Sequence, residues 1–353
     1  LKQIKEKDKI IFMKKEFLNG YEVVTRACID AGANFMYGYP ITPSSEVLSD
    51  WINKSQKNKN LNYLQTEDEI AAGFAVCGSI VAGKKTFTTT SGPGTILMQD
   101  SLSMAEGMRL PFVAIIAQRG GPSSGTVIYS QQEVNLAIHG GNGEGLRIVY
   151  SPSNLKELYR FIRYAFNAAW KYRFPTIVLT DGYLLKTKQN IELFSKYKNE
   201  KTKSLFLENK QKNIRNIYTI EEELMEKILK DKKDFDEMAR EITEVELYKT
   251  DDAKQIIIAH GLVSAVAKEA IDILRNKGIK IGLFKPSTLS PFPKKELNSL
   301  LNKNIKKVFI IESSLGQLKN LVKQNLENKI NIDVLQKPAV GIEVQEIINK
   351  ITK

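Results

Sequence analysis

Short runs rich in β-branched and aromatic residues alternate, in the first half of the chain, with stretches of helical period, and this alternation constrains the fold more than any other feature. Asn34 to Tyr39, Thr86 to Thr90, Phe112 to Ala117, Arg147 to Tyr150 and Thr176 to Leu179 read as strands; Ala71 to Val81, Ile96 to Ala105 and Leu155 to Tyr172 read as amphipathic helices. Strand and helix taking turns predict an α/β fold with a parallel sheet covered on both faces. Ligands in such sheets bind beyond the carboxyl ends of the strands. The pattern fills residues 16–185 and then stops. Residues 186–250 hold 29 charged side chains and neither Gly nor Pro, so they read as a charged linker or arm, with one solvated helix from Ile220 to Arg240 laced by i,i+4 charge pairs. A second, smaller alternating block occupies residues 251–353. Its predicted strands are Gln255 to Ala259, Lys280 to Phe284, Lys307 to Glu312 and Ile330 to Leu335; its helices are Ser264 to Lys277, Lys294 to Asn302 and Gly316 to Leu326.

At 353 residues the chain is too long for one ordinary domain, and 42% hydrophobic content supports buried cores. Leu1 is not an initiator residue, and Met13 stands just before the first patterned segment, so residues 1–15 are expected to be a disordered N-terminal extension. No apolar stretch is long enough to span a membrane and no secretion signal is visible. Cys28 and Cys77 are the only cysteines, too few for an iron–sulfur cluster or a thiolate zinc site, and a cytoplasmic location is expected. The net charge of +12 raises the question of nucleic acid, but residues 16–185 carry 14 basic and 14 acidic groups and the excess lies at the two ends. No aromatic-interleaved basic patch accompanies it, so no nucleic-acid partner is expected.

Four predicted strand ends carry the informative turns. In Tyr39-Pro40-Ile41-Thr42-Pro43-Ser44-Ser45, Thr42 reads as an N-cap with Pro43 in the first helical turn, and equally as a hydroxyl at a helix N-terminus suited to a small carboxylate. In Thr66-Glu67-Asp68-Glu69-Ile70-Ala71-Ala72-Gly73, Thr66 and Glu69 have capping-box spacing. The run of small residues that follows must pack closely against something flat, which would instead leave a partly desolvated carboxylate fit for proton exchange with a heterocycle nitrogen. Thr88-Thr89-Thr90-Ser91-Gly92-Pro93-Gly94 serves either a tight turn or close backbone approach to a cofactor. In Gln118-Arg119-Gly120-Gly121-Pro122-Ser123, an arginine closes an apolar strand and calls for a carboxylate or phosphate.

A Walker A loop, a dinucleotide-binding Gly-x-Gly-x-x-Gly and a nucleophile elbow are all missing. Gly140 to Gly145 precedes a strand and reads as a connection. His139 and His260 lack ligands at metal spacing, and no metal site is expected in this chain.

Taken together, Tyr39 to Ser45, Glu67 to Ala71, Thr90 to Gly94 and Gln118 to Ser123 resemble the alpha subunit of 2-oxoacid:ferredoxin oxidoreductases, the 2-oxoglutarate type more than the pyruvate type. Lys171-Tyr172-Arg173-Phe174-Pro175 with Asp181-Gly182-Tyr183, Leu289 to Pro293, and Glu312 to Gln317 extend the likeness over nearly the whole chain beyond residue 16. The resemblance implies a thiamine-diphosphate pyrimidine-binding domain over 16–185 and a transketolase-C-terminal-like domain over 251–353. It implies oxidative decarboxylation of a 2-oxoacid, 2-oxoglutarate foremost, with CoA to acyl-CoA and CO2, electrons passing to ferredoxin. Glu69, rather than Glu67, would hydrogen-bond the aminopyrimidine nitrogen as catalytic residue, and Thr42 and Arg119 would bind the substrate. Pro40, Ile41, Ser91, Gly92 and Gly94 would join Glu69 in lining the cofactor.

This chain would hold half a site. No Gly-Asp-Gly with a downstream Asn is present to fix a diphosphate through Mg²⁺, so the cofactor would be shared with a beta subunit carrying that ion and the iron–sulfur cluster. One departure is Asn142, which stands where related sequences carry a His before Gly-Glu or Gly-Asp. The alternative is a non-catalytic α/β scaffold or binding subunit of a related complex.

Overall fold

The computed structural model describes residues 12–194, 198–202, 204, 214–303 and 305–353. The first half runs β1 (Phe12–Asn19), α1 (Gly20–Asp30), β2 (Phe35–Gly38), α2 (Ser45–Lys57), β3 (Asn62–Gln65), α3 (Glu69–Val81), β4 (Thr86–Thr90) and α4 (Pro93–Leu97). It continues with α5 (Gln99–Gly107), β5 (Val113–Gln118), α6 (Val134–His139), β6 (Ile148–Tyr150), α7 (Leu155–Tyr172), β7 (Thr176–Asp181), α8 (Gly182–Lys186) and β8 (Lys188–Phe194). After α9 (Glu221–Ile242) come β9 (Val245–Tyr248), β10 (Gln255–Ile258), α10 (Gly261–Asn276), β11 (Ile281–Pro286) and β12 (Thr288–Ser290). The chain closes with α11 (Lys294–Leu301), β13 (Lys307–Glu312), α12 (Gln317–Gln324), β14 (Ile332–Gln336) and α13 (Val344–Thr352).

The predicted α/β architecture is present. A seven-stranded sheet has the order β12-β6-β7-β5-β4-β2-β3, parallel except for β12, which pairs antiparallel with β6. One face is covered by α1, α2 and α7 through Val23, Val24, Trp51, Phe161 and Phe166; the other is covered by α3, α5 and α6 through Val76, Leu102 and Val134. Helix α7 shows why such a segment folds locally. Asn154 caps it by accepting from Glu157 N at 2.9 Å, its apolar residues recur along one side, and Arg173 ends it in the left-handed conformation.

A second sheet, β14-β13-β10-β11-β9, is parallel except for the edge strand β9. The halves are joined by more than chain connectivity. Gln131 N donates to Ser313 O at 2.9 Å, Ser313 N donates to Gln131 Oε1 at 3.0 Å, and Gln131 Nε2 donates to the carbonyl of His260 at 2.9 Å.

Several expectations need correction. Residues 12–15 belong to β1, which pairs antiparallel with β8; the rest of the expected disordered extension lies outside the described residues. The helix expected to be solvated is α9, and it buries Asp231, Phe235 and Met238. Phe235 meets Phe174 edge-on at 5.1 Å, and Arg109 Nη1 donates to Asp231 Oδ1 at 2.8 Å. A helix with mostly charged residues can still pack when a few apolar ones share a face. Among the described residues, no helix is long and apolar enough to cross a membrane.

Candidate active site

The sheet order reverses at β2, which lies between β3 and β4. The connections leaving β2 and β4 run to opposite sides, and it is beyond the carboxyl ends at such a switch point that ligands bind. All four singled-out turns lie at this end: Pro40 to Ser44 follow β2, Thr66 to Asp68 follow β3, Ser91 and Gly92 follow β4, and Arg119 follows β5.

Glu69 is the first residue of α3. The expected capping box does not form: Asp68 is the N-cap, its side chain accepts from Ala71 N at 2.7 Å, and Thr66 Oγ1 donates to the Asp68 carbonyl at 2.8 Å. Glu69 is thereby released from capping and turns inward, 3% exposed, whereas Glu67 is exposed. Its Oε1 is buried without a hydrogen-bond partner among the described residues. Burial raises its pKa; the neighbouring charge of Asp68 adds to this, and Arg119 opposes it.

Gly94, in α4, makes room for that carboxylate. A Cβ at Gly94 would stand 2.3 Å from Glu69 Oε1 and 2.2 Å from Thr90 Oγ1, so only a glycine fits. Thr90 Oγ1 and Ser91 Oγ are also buried and unpartnered among the described residues. Gly92 has φ +52°, and a Cβ there would come within 2.5 Å of Arg119 Nε. Here the glycine is required twice, by backbone conformation and by the guanidinium against its face.

Arg119 is 5% exposed and its Nη1 donates to the Thr42 carbonyl at 2.5 Å, while Nε has no partner among the described residues. Thr42 does not cap α2 as expected. It precedes a cis peptide bond to Pro43, and α2 begins at Ser45 with Ser44 as N-cap and no side-chain cap bond. The role of Thr42 toward Arg119 is played by its backbone, and its residue surface is exposed. Pro40 is exposed and Ile41 half-buried on the same connection. The structure therefore brings Thr42, Glu69, Gly92, Gly94 and Arg119 together, with Ser91 fully buried next to Gly92 in the chain and Pro40 and Ile41 preceding Thr42.

Sequence reasoning missed Glu133, whose Oε1 accepts from Gly92 N at 2.9 Å and from Arg119 N at 2.8 Å. Nothing in its flanking sequence marks it, since its partners are backbone groups far away in the chain. The two histidines are structural or peripheral. His260 is fully buried with Nδ1 2.9 Å from Ser151 Oγ, and burial pushes its pKa down to about 3; His139 is exposed. Asn142 is exposed and lines a cleft with Asp100, Ser103 and Asp231, to which neither Glu69 nor Arg119 contributes. Among the described residues, no group of three or more His, Cys, Asp or Glu is gathered to hold a metal ion.

An orphaned, desolvated carboxylate oxygen against a glycine-cleared space is chemically suited to a ring nitrogen that needs a hydrogen bond. The residues present fit thiamine diphosphate in that respect.

Comparison with known proteins gives a consistent picture. Residues 26–257 match the family described as pyruvate flavodoxin/ferredoxin oxidoreductase, thiamine diphosphate-binding, and residues 253–347 match pyruvate:ferredoxin oxidoreductase core domain II. The 2-oxoglutarate synthase subunit KorA of Methanocaldococcus jannaschii is 32% identical over 339 residues, covering 87% of this chain and 90% of its own. Ketoisovalerate oxidoreductase subunit VorB of Methanothermobacter marburgensis is 29% identical over 347 residues, covering 96% and 97%. Among solved structures, 2-oxoglutarate:ferredoxin oxidoreductase from Magnetococcus marinus, with 2-oxoglutarate, coenzyme A and succinyl-CoA bound, matches with a TM-score of 0.86 at 26% identity; the match covers 96% of this chain and 65% of that one. An inactive split-gene transketolase tetramer shares the fold, at TM-score 0.60 and 13% identity.

Proposed function

This chain belongs to the pyruvate flavodoxin/ferredoxin oxidoreductase, thiamine diphosphate-binding family, and we propose that it is the alpha subunit of a 2-oxoacid:ferredoxin oxidoreductase acting on 2-oxoglutarate. The reaction is oxidative decarboxylation with CoA to an acyl-CoA and CO2, electrons leaving to ferredoxin. The observation that carries the reading is the buried Glu69 carboxylate, with Oε1 unpartnered beside Gly94 and Arg119 near enough to oppose the rise in its pKa. The relative with 2-oxoglutarate, coenzyme A and succinyl-CoA bound supports the choice of substrate.

When bound, thiamine diphosphate supplies the electron sink for the carbon that loses CO2. Burial pushes the Glu69 carboxyl above its ordinary range, which would suit it to exchange a proton with the pyrimidine ring nitrogen. Gly92 and Gly94 leave room for the Arg119 and Glu69 side chains that would face the ring, and Pro40, Ile41 and Ser91 would line the same space. Arg119, pinned at Nη1 by the Thr42 carbonyl, keeps Nε free to take a substrate carboxylate, with Thr42 beside it.

The remaining half-site belongs to a beta subunit holding the diphosphate with Mg²⁺ and the iron–sulfur cluster. Support for such a partner comes from the surface around the candidate site. Ile70 and Phe74 share one exposed face of α3, Ile96 and Leu97 are exposed on the adjoining α4, and edge strand β3 exposes Tyr63 and Leu64. Apolar side chains and an unpaired strand edge concentrated at one end call for cover.

The test is co-expression with the beta subunit and assay of 2-oxoglutarate- and CoA-dependent dye reduction. Activity is expected in the complex and absent from either chain alone. An assembled, folded complex that neither binds thiamine diphosphate nor turns over would refute the reading.

A further inference from the structure

We propose that Glu133 is the positioning residue that sets Arg119 against Gly92, by clamping the backbones of two adjacent strand ends with one carboxylate oxygen. Strands β4 and β5 are parallel neighbours, with Thr90 opposite Ile116. The ladder stops at their carboxyl ends, where the N–H groups of Gly92 and Arg119 need other acceptors. Both donate to Glu133 Oε1, at 2.9 and 2.8 Å. Glu133 stands at the N-cap position of α6 but makes no side-chain cap bond there, so the carboxylate is committed to the two strand ends rather than to its own helix. At 4% exposure it is screened from water.

The consequence falls on the guanidinium. Gly92 and Arg119 Nε are so close that any Cβ on Gly92 would collide with it, and the far end of the side chain is tied to the Thr42 carbonyl. A long side chain keeps one position only if its own backbone and the surfaces it touches are fixed. Glu133 fixes both the Arg119 backbone and the Gly92 surface. Its Oε1 is engaged by those two N–H groups and not by Glu69, so its influence reaches the candidate site through Arg119. The kinetic part of this role rests on the reading of Arg119 as the group that takes the substrate carboxylate.

Two measurements separate the clamp from that reading. The first uses the isolated chain: modification of Arg119 by an arginine-specific dicarbonyl reagent, followed by mass spectrometry. Glu133→Ala should speed modification about fivefold or more, whereas Glu133→Gln, which retains an acceptor oxygen for both N–H groups, should stay within about twofold of the parent. If Glu133→Ala does not fold, Glu133→Asp replaces it, because an oxygen withdrawn by one methylene cannot reach both donors and should also speed modification. An unchanged rate in the folded variant overturns the clamp. The second uses the reconstituted complex with 2-oxoglutarate. Glu133→Ala should raise KM about tenfold with a smaller change in kcat, and should add nothing when Arg119 is already Ala, the signature of one residue acting through another. Equal factors in both backgrounds, or a loss confined to kcat and melting temperature, would assign Glu133 a purely structural role and overturn the proposal. Faster modification combined with a KM that Arg119→Ala leaves unchanged would instead uphold the clamp and remove the substrate role of Arg119.

Discussion

Glu69 is held by neighbours that give it little to bond with, and its chemistry follows from that poverty. Glu69→Gln keeps the volume and removes the exchangeable carboxyl proton, so turnover of the complex should fall about 10²-fold or more while size-exclusion chromatography still shows assembly. Gly94→Ala attacks the same contact from the other side. The added methyl would overlap Glu69 Oε1 and Thr90 Oγ1, and calorimetry should show loss of thiamine diphosphate binding. A second buried carboxyl gives a pH dependence unrelated to turnover. Asp181 caps α8 by accepting from Leu184 N at 2.9 Å, yet burial raises its pKa from 3.8 to about 6. A carboxyl that binds its proton more tightly in the folded than the unfolded chain contributes stability below pH 4, and loses it as pH rises through about 6. Asp181→Asn retains a cap acceptor and has no such loss. In urea titrations it should gain roughly 2–3 kcal/mol on the parent between pH 4 and pH 8. Glu69 and Arg119 could be singled out from their local sequence, because a carboxylate before small residues and an arginine after an apolar strand are unusual. Glu133 could not, since what distinguishes it is two backbone groups brought from residues 92 and 119.

Helix α3 positions Glu69, and its sequence of Ala, Gly, Val and Cys dictates how close it can come to its neighbour. A Cβ on Gly73 would lie 2.0 Å from Ser101 Oγ and 2.7 Å from Ser101 Cβ on α5. Gly73→Ala should gain helix propensity of about 1 kcal/mol but lose about 1–3 kcal/mol to overpacking. The net expectation is a lower melting temperature together with weaker thiamine diphosphate binding, because α3 must move and carries Glu69 with it. Elements marked by their own residues were legible: α7, with its one-sided apolar pattern, and the β-branched or aromatic runs of β4 and β13 have the boundaries the sequence predicts. Elements defined by pairing were not. All four residues of β3 are exposed, so it shows no alternation, and the three residues of β12 form a strand because β6 is there to receive them. The start of α2 lies at Ser45 rather than Pro43 because the Ile41 carbonyl accepts from both Ser44 N and Ser45 N in a turn of its own, which the local cap signals do not report.

At the scale of the whole molecule, exposed apolar side chains of β3, α3 and α4 gather beside the candidate site. Leu64→Glu with Ile96→Glu should leave the melting temperature of the isolated chain nearly unchanged, since both side chains are about half exposed. The same pair should abolish co-purification with the beta subunit; retained complex would show that the partner covers another face. The two sheets are bridged by Gln131, Ser313 and His260, contacts between residues more than a hundred positions apart that no local pattern could announce. The sequence by itself determined the α/β class, the order of most elements and the identity of the turns at the strand ends. Periodicity and turn chemistry are local, written within a few residues of where they act. Only the tertiary structure decided that Thr42 meets Arg119 through its carbonyl and that Glu133 ties β4 to β5. Those outcomes depend on which distant backbone groups lack a partner once the strands have paired.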